Sequence, residues 1–202
     1  MKKIIIIGAG AMGSAFAVPC LENKNEVTLV GTHLEDELIN NIQLNNNFHP
    51  ALNIKLPSNL KVQKYDKLKS ILEGGIDIIV AGVSSVGIEW FVKQITKSYK
   101  KNTPIILLTK GLAIEDNELI TLSDKIKKLL KDQGHTDVNI SAIKGPCLAA
   151  GLAYKMRTGT VIANPDIKET EKLKKIISTD YYSTEVSDDL TGIELSGAIK
   201  NI

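Results

Sequence analysis

The segment Gly8-Ala9-Gly10-Ala11-Met12-Gly13 directly follows the β-branched run Lys3 to Ile7 and opens a stretch of helical period from Met12 to Glu22. A Gly-x-Gly-x-x-Gly pattern is informative only in this setting, at the end of a strand and the start of a helix. There Gly8 permits a tight turn, Gly10 lets the backbone approach a pyrophosphate, and Gly13 lets the helix pack close to the strand. The helix N-terminus then turns free N–H groups and the positive end of its dipole toward the phosphates. The pattern predicts a dinucleotide site over Gly8, Gly10, Ala11, Met12 and Gly13.

The rest of the chain repeats the same alternation. Short apolar runs occur at Glu26 to Val30, Ile76 to Val83, Pro104 to Thr109, Val138 to Ile143 and Thr160 to Ala163, with a weaker one at Leu60 to Lys64. Between them lie segments of helical period at Glu35 to Leu44, Tyr65 to Leu72, Ile88 to Ser98, Asn117 to Lys131, Leu148 to Met156 and Ile167 to Ser178. Strands alternating with helices predict parallel βαβ units, and runs such as Ile76 to Ala81 are continuous rather than alternating, as strands covered on both faces should be. The expected fold is α/β, a Rossmann-type doubly wound, mostly parallel sheet.

Composition excludes several partner classes. The formal net charge of +2 supplies no broad cationic surface for nucleic acid. The lysine-rich stretches Lys125 to Lys131 and Lys168 to Lys175 carry apolar residues at helical spacing, so they are read as solvated helix faces. The isoleucine run after Met1-Lys2-Lys3 ends at Gly8, short of the roughly 7 apolar residues of a secretory core and the about 20 of a membrane span. Cys20 and Cys147 belong to no ligand cluster, so a reducing cytoplasm and no structural metal are expected.

The tip of the second strand, where an acidic residue would bind the adenosine ribose of NAD, reads Gly31-Thr32-His33, with no carboxylate before Glu35. NADP or NAD is therefore expected, with a mild lean to NADP and with Thr32 and His33 as donors. Lys110 ends a buried strand on the carboxyl edge, where ligands collect in such sheets, and Lys200 interrupts an otherwise apolar tail. Trp90 and His135 are read as packing residues. From Asp188 onward a capped helix of 188–202 carries little polar surface. It is read as the start of a second domain after a dinucleotide-binding domain of 1–187, covered by a second copy of the chain or by a C-terminal domain.

Several of these pieces together resemble the NAD(P)-dependent glycerol-3-phosphate dehydrogenases: the Gly8 to Gly13 turn, Val30-Gly31-Thr32, His49-Pro50 before Lys55-Leu56, Ala81-Gly82-Val83-Ser84, Thr109-Lys110-Gly111-Leu112, Gly145-Pro146, and Gly192 to Asn201. The resemblance implies reversible hydride transfer between the nicotinamide and C2 of glycerol 3-phosphate, giving dihydroxyacetone phosphate, a cytoplasmic step in the synthesis of glycerolipid and phospholipid precursors. It makes Lys200 the general acid/base and Asn201 a substrate ligand. Lys110 would reach both cofactor and substrate, Gly145 and Cys147 would touch substrate, and Ala149 would lie near the cofactor. Three departures stand out: Cys147 replaces a Ser or Thr, Gly151 replaces a glutamate, and the family's helical C-terminal domain does not follow Ile202. Two rival readings are a ketopantoate-reductase-like dehydrogenase, against which Thr109-Lys110-Gly111 argues, and a non-catalytic NAD(P)-binding fragment or half of a split enzyme.

Overall fold

The computed structural model describes residues 1–199. In chain order the elements are β1 (Lys3–Ile7), α1 (Ala11–Glu22), β2 (Glu26–Val30), α2 (Asp36–Leu44), β3 (Phe48–His49), β4 (Ile54–Lys55), β5 (Lys61–Gln63), α3 (Leu68–Glu73), β6 (Ile78–Ala81) and α4 (Ile88–Ile95). They continue with β7 (Ile105–Leu107), β8 (Leu112–Glu115), β9 (Glu118–Thr121), α5 (Leu122–Lys131), β10 (Ile140–Lys144), α6 (Ala149–Ala153), β11 (Thr158–Ala163), α7 (Ile167–Ile177), β12 (Tyr182–Ser187) and α8 (Leu190–Ile199).

Eight strands form one sheet in the order β12-β11-β10-β7-β6-β1-β2-β5. The pairings are parallel except for β10 with β11. The isoleucines of β1 show why this strand is central. Ile4 and Ile6 enter the core beneath α1, α2, α6 and α7, whereas Ile5 and Ile7 enter the opposite core beneath α3, α4 and α5. A period of two on a strand covered on both faces requires apolar residues at every position. The chain winds outward from β1 to β2 on one side and from β6 to β7 on the other. The crevice where a doubly wound sheet binds its ligand therefore lies between the ends of β1 and β6.

Two elements depart from the sequence reading. Asn117 does not start a helix: Asp116 and Asn117 have φ of +50° and +64°, closing the two-residue turn of the β8–β9 hairpin. Both residue types tolerate the left-handed region that such a hairpin turn requires. The helix begins only after Thr121, whose hydroxyl accepts a hydrogen bond from the Asp124 amide. The second departure is β12, which no apolar run announced. It is an edge strand on which buried Tyr182 and Thr184 alternate with exposed Ser183 and Glu185, a half-buried pattern with too few large apolar residues to stand out. In α8, the Asp189 carboxylate accepts from the Gly192 amide, the cap expected at Asp188-Asp189. The helix packs on β10 and β11 and leaves Ile199 exposed. Among the described residues no helix is long and apolar enough to cross a membrane, and no cluster of three metal-ligating side chains occurs.

Candidate functional site

The glycine turn is held largely by backbone against backbone. Gly8 has φ of +109°, and a Cβ there would lie 2.7 Å from the Gly82 carbonyl group. A Cβ on Gly13 would lie 2.2 Å from the Gly8 carbonyl oxygen. Gly10 differs: it has φ of −61°, ordinary for any residue, and the nearest atom to a Cβ there is Glu35 Oε1 at 3.9 Å. Among the described residues nothing requires glycine at position 10. An open surface at the head of α1, with Glu35 the nearest side chain to Gly10 and no acidic residue in the helix's first turn, leaves room for the close approach of a pyrophosphate.

The turn is also pinned from below. The Ser14 hydroxyl and His49 Nε2 both donate to the Ala9 carbonyl at 3.0 Å. His49 is fully buried, and its Nδ1 accepts from the Leu52 amide at 3.2 Å, which places the imidazole proton on Nε2. The β3–β4 hairpin thereby braces the loop. The sequence marks His49-Pro50 as a shared motif without indicating this work.

The tip of β2 carries a contact that the sequence reading did not include. Glu35, the residue before α2, folds its carboxylate back so that one oxygen accepts from the Thr32 amide at 2.7 Å and from the Ala9 amide at 3.0 Å. A carboxylate is therefore held between the tip of β2 and the glycine turn. The signal was hidden because Glu35 reaches the site by a turn rather than by standing at the strand end. Thr32 is half-buried and His33 exposed, and the His33 ring lies 5.0 Å from Trp90 and 6.2 Å from Tyr65. Trp90 thus packs at the rim of the site.

A cleft of about 430 Å³ runs from Gly10, Ala11 and Met12 past Gly82 and Ser84 to Lys110. Half-buried Lys110 follows β7 on a turn that Gly111 makes with φ of +121°, and the Thr109 hydroxyl ties that turn to the Val83 carbonyl at 2.7 Å. Beyond lies a small cavity of about 20 Å³ that brings Lys110 and Met12 together with Gly145 and Cys147. Gly145 has φ of +154°, and a Cβ there would meet the Thr160 backbone at 2.9 Å. Cys147 is buried, and Ala149 opens α6, which packs along α1. The expected roles of Lys200 and Asn201 fall outside the described residues.

The same cavity contains a residue that the sequence reading passed over. Lys144, at the end of β10, is 4% exposed, and its Nζ donates to the carbonyls of Leu107 at 3.0 Å and Thr109 at 2.7 Å. Burial pushes its ammonium down to about 8; nearby Lys110 adds to the shift, and Glu194 opposes it. Glu194 on α8 is itself fully buried, with Oε1 accepting from the Ser123 amide at 3.1 Å. A lysine closing an apolar strand, directly before Gly145-Pro146, was the signal available in the sequence.

Comparison with known proteins settles the family. The family model described as NAD-dependent glycerol-3-phosphate dehydrogenase N-terminus matches residues 3–170. The chain belongs to that family. It is 34% identical over 199 residues to the NADP(+)-dependent glycerol-3-phosphate dehydrogenase of Archaeoglobus fulgidus, covering 98% of this chain and 57% of that protein. It is 31% identical over 203 residues to the glycerol-3-phosphate dehydrogenase [NAD(P)+] of Mesoplasma florum, covering 99% and 58%. The crystal structure of the Coxiella burnetii glycerol-3-phosphate dehydrogenase superposes with a TM-score of 0.85 at 24% identity, over 99% of this chain and 58% of that one, confirming the fold. This domain thus spans somewhat over half the length of the relatives it matches, and corresponds to their N-terminal NAD(P)-binding domain.

Proposed function

We propose that this domain binds a nicotinamide dinucleotide along the cleft from Gly10 to Lys110 and serves reversible oxidation of glycerol 3-phosphate at C2 to dihydroxyacetone phosphate. The observation that carries the reading is Gly10, whose missing side chain serves no packing need among the described residues and leaves the head of α1 open to phosphate. When bound, the nicotinamide supplies or accepts the hydride. Gly8, Gly10, Ala11, Met12 and Gly13 would hold the pyrophosphate, Thr32 and His33 the adenosine side, and Ala149 the flank nearest α1. Gly145 and Cys147 would line the substrate pocket. The oxygen on C2 must lose a proton as it becomes a carbonyl and regain one in reverse, which calls for a positioned lysine. Lys200 takes that role in this reading, with Lys110 polarising the same end of the cleft and Asn201 fixing substrate.

Both NAD and NADP are compatible with the turn in this reading, in which the Glu35 carboxylate, held at the tip of β2, would disfavour the 2'-phosphate of the NADP named for the Archaeoglobus relative. The reaction is placed in the cytoplasm, supplying glycerol 3-phosphate to glycerolipid and phospholipid synthesis. The face of α8 that leaves Ile199 exposed would be covered by a helical substrate domain or by a second copy.

The reading is tested by titrating NADH and NADPH onto the chain and onto Gly10→Leu. Binding that Gly10→Leu abolishes supports the site, and binding unchanged by that substitution overturns it. A companion assay measures reduction of dihydroxyacetone phosphate by the chain alone and after joining it to a family C-terminal helical domain. Positioning of reactants supplies roughly 7 to 11 kcal/mol of the barrier reduction, so little turnover is expected from the chain alone. Rescue by the added domain should be lost again in Lys200→Ala.

A further inference from the structure

An ammonium taken out of water is costly unless its partners compensate. A methionine at position 144 would fill the same volume without that cost. The three things Lys144 touches explain why a charged group stands there. Its Nζ holds the carbonyls of Leu107 and Thr109, on both sides of Leu108 and immediately before Lys110. Its aliphatic stem lies against α8 at Gly197, where a Cβ would come 2.9 Å from Lys144 Cδ and 3.0 Å from Cγ. Its charge faces Glu194, whose other contact anchors α8 to the start of α5 and whose Oε2 has no hydrogen-bond partner among the described residues. One side chain therefore joins the end of β7 that carries Lys110 to the helix that leads to Lys200.

We propose that Lys144 is a positioning residue for Lys110, clamping the Thr109-Lys110 turn against β10 and α8 so that the Lys110 ammonium keeps one place at the far end of the cleft. The proposal rests on the cofactor reading above. It also accounts for Gly197, because any side chain there would displace the Lys144 stem, and for a lysine at 144, because an ammonium makes stronger bonds to two carbonyls than a neutral donor would.

The test titrates NADH, and ADP-ribose, which lacks the nicotinamide, onto the full 202-residue chain and its variants. Lys144→Met is expected to lower the ratio of NADH to ADP-ribose affinity by about threefold or more while ADP-ribose binding stays within about twofold, because the affected contact lies at one end of the cleft. Lys110→Ala should lower the ratio at least as far, and Lys144→Met should add nothing in the Lys110→Ala background. Gly197→Ala, which pushes on the stem, should lower the ratio in the unaltered chain and be silent in Lys144→Met. A ratio unchanged by Lys144→Met, or losses from Lys110→Ala and Lys144→Met that simply add, would overturn the proposal while leaving the cofactor reading intact. Failure of the unaltered chain to bind either ligand would overturn both.

Discussion

The two ends of the cleft are built by different means. At the glycine turn, main chain is packed on main chain: Gly8 against Gly82, Gly13 against the Gly8 carbonyl, and the whole turn braced from beneath by Ser14 and His49. At the lysine end, shape depends on a buried charge: Lys144 holds two carbonyls, leans on Gly197 and faces Glu194. A pyrophosphate is recognised by backbone N–H groups, so the first end needs only a rigid loop of the right curvature. In the proposed function the second end would polarise a substrate oxygen, which calls for a side-chain cation in a fixed place and so for long side chains immobilised by their neighbours. The first end should therefore be sensitive above all to added volume, and the second also to the charge state of Lys144.

The largest effect expected is at Gly13. Gly13→Ala places a methyl 2.2 Å from a carbonyl oxygen that belongs to the backbone and cannot swing aside. A loss of about 3 kcal/mol or more is expected, beyond ordinary core overpacking, read as a fall in the urea midpoint. Gly10→Ala is the matched control. With no atom closer than 3.9 Å to the new methyl, it should leave stability within about 0.5 kcal/mol while weakening dinucleotide binding. Equal damage from the two substitutions would break the distinction between a glycine kept for the fold and one kept for a ligand.

Next comes the pH dependence of Lys144→Met. The folded chain holds the Lys144 ammonium at about 8 against an ordinary value of 10.5. Between those two values the unfolded state binds more protons, so stability rises with pH. Below about pH 8 the full cost of burying the charge is present, and it is relieved as pH climbs toward 10.5. The unaltered chain should gain about 3 kcal/mol relative to Lys144→Met across that window, as an order of magnitude. Denaturant melts of both chains at pH 7 and pH 10 measure the difference, and parallel pH profiles would show that Lys144 is not buried as charge.

The smallest effect sharpens the adenosine end. Glu35→Gln keeps an acceptor for the Ala9 and Thr32 amides but removes the negative charge. NADPH affinity should rise relative to NADH by about tenfold, or about 1.4 kcal/mol, as read by parallel titrations. A ratio that does not move would mean that the Glu35 carboxylate lies away from the 2'-position.

Much of this was legible in the sequence because it depends on local rules. A glycine pattern between a strand and a helix marks a tight strand-to-helix turn, and the unbroken runs at β1, β6 and β7 mark strands covered on both faces. The place of Lys110 in the cleft was legible for the same reason, since it follows the end of a buried parallel strand. What the sequence left out depends on which distant residues meet. The β8–β9 hairpin overrode a helical period because Asp116 and Asn117 took up left-handed backbone, and β12 formed where pairing with β11 compensated for a weak apolar pattern.

The sequence by itself thus determined the winding of the sheet, the glycine turn and the place of Lys110, all set by backbone conformation and hydrophobic period over a few neighbouring residues. Only the tertiary structure decided that Glu35 turns back onto the Ala9 amide and that Lys144 meets Thr109, Gly197 and Glu194. Those contacts join residues up to 53 positions apart in the chain. Their strength comes from burial, which changes the cost of a charge and is set by everything packed around it.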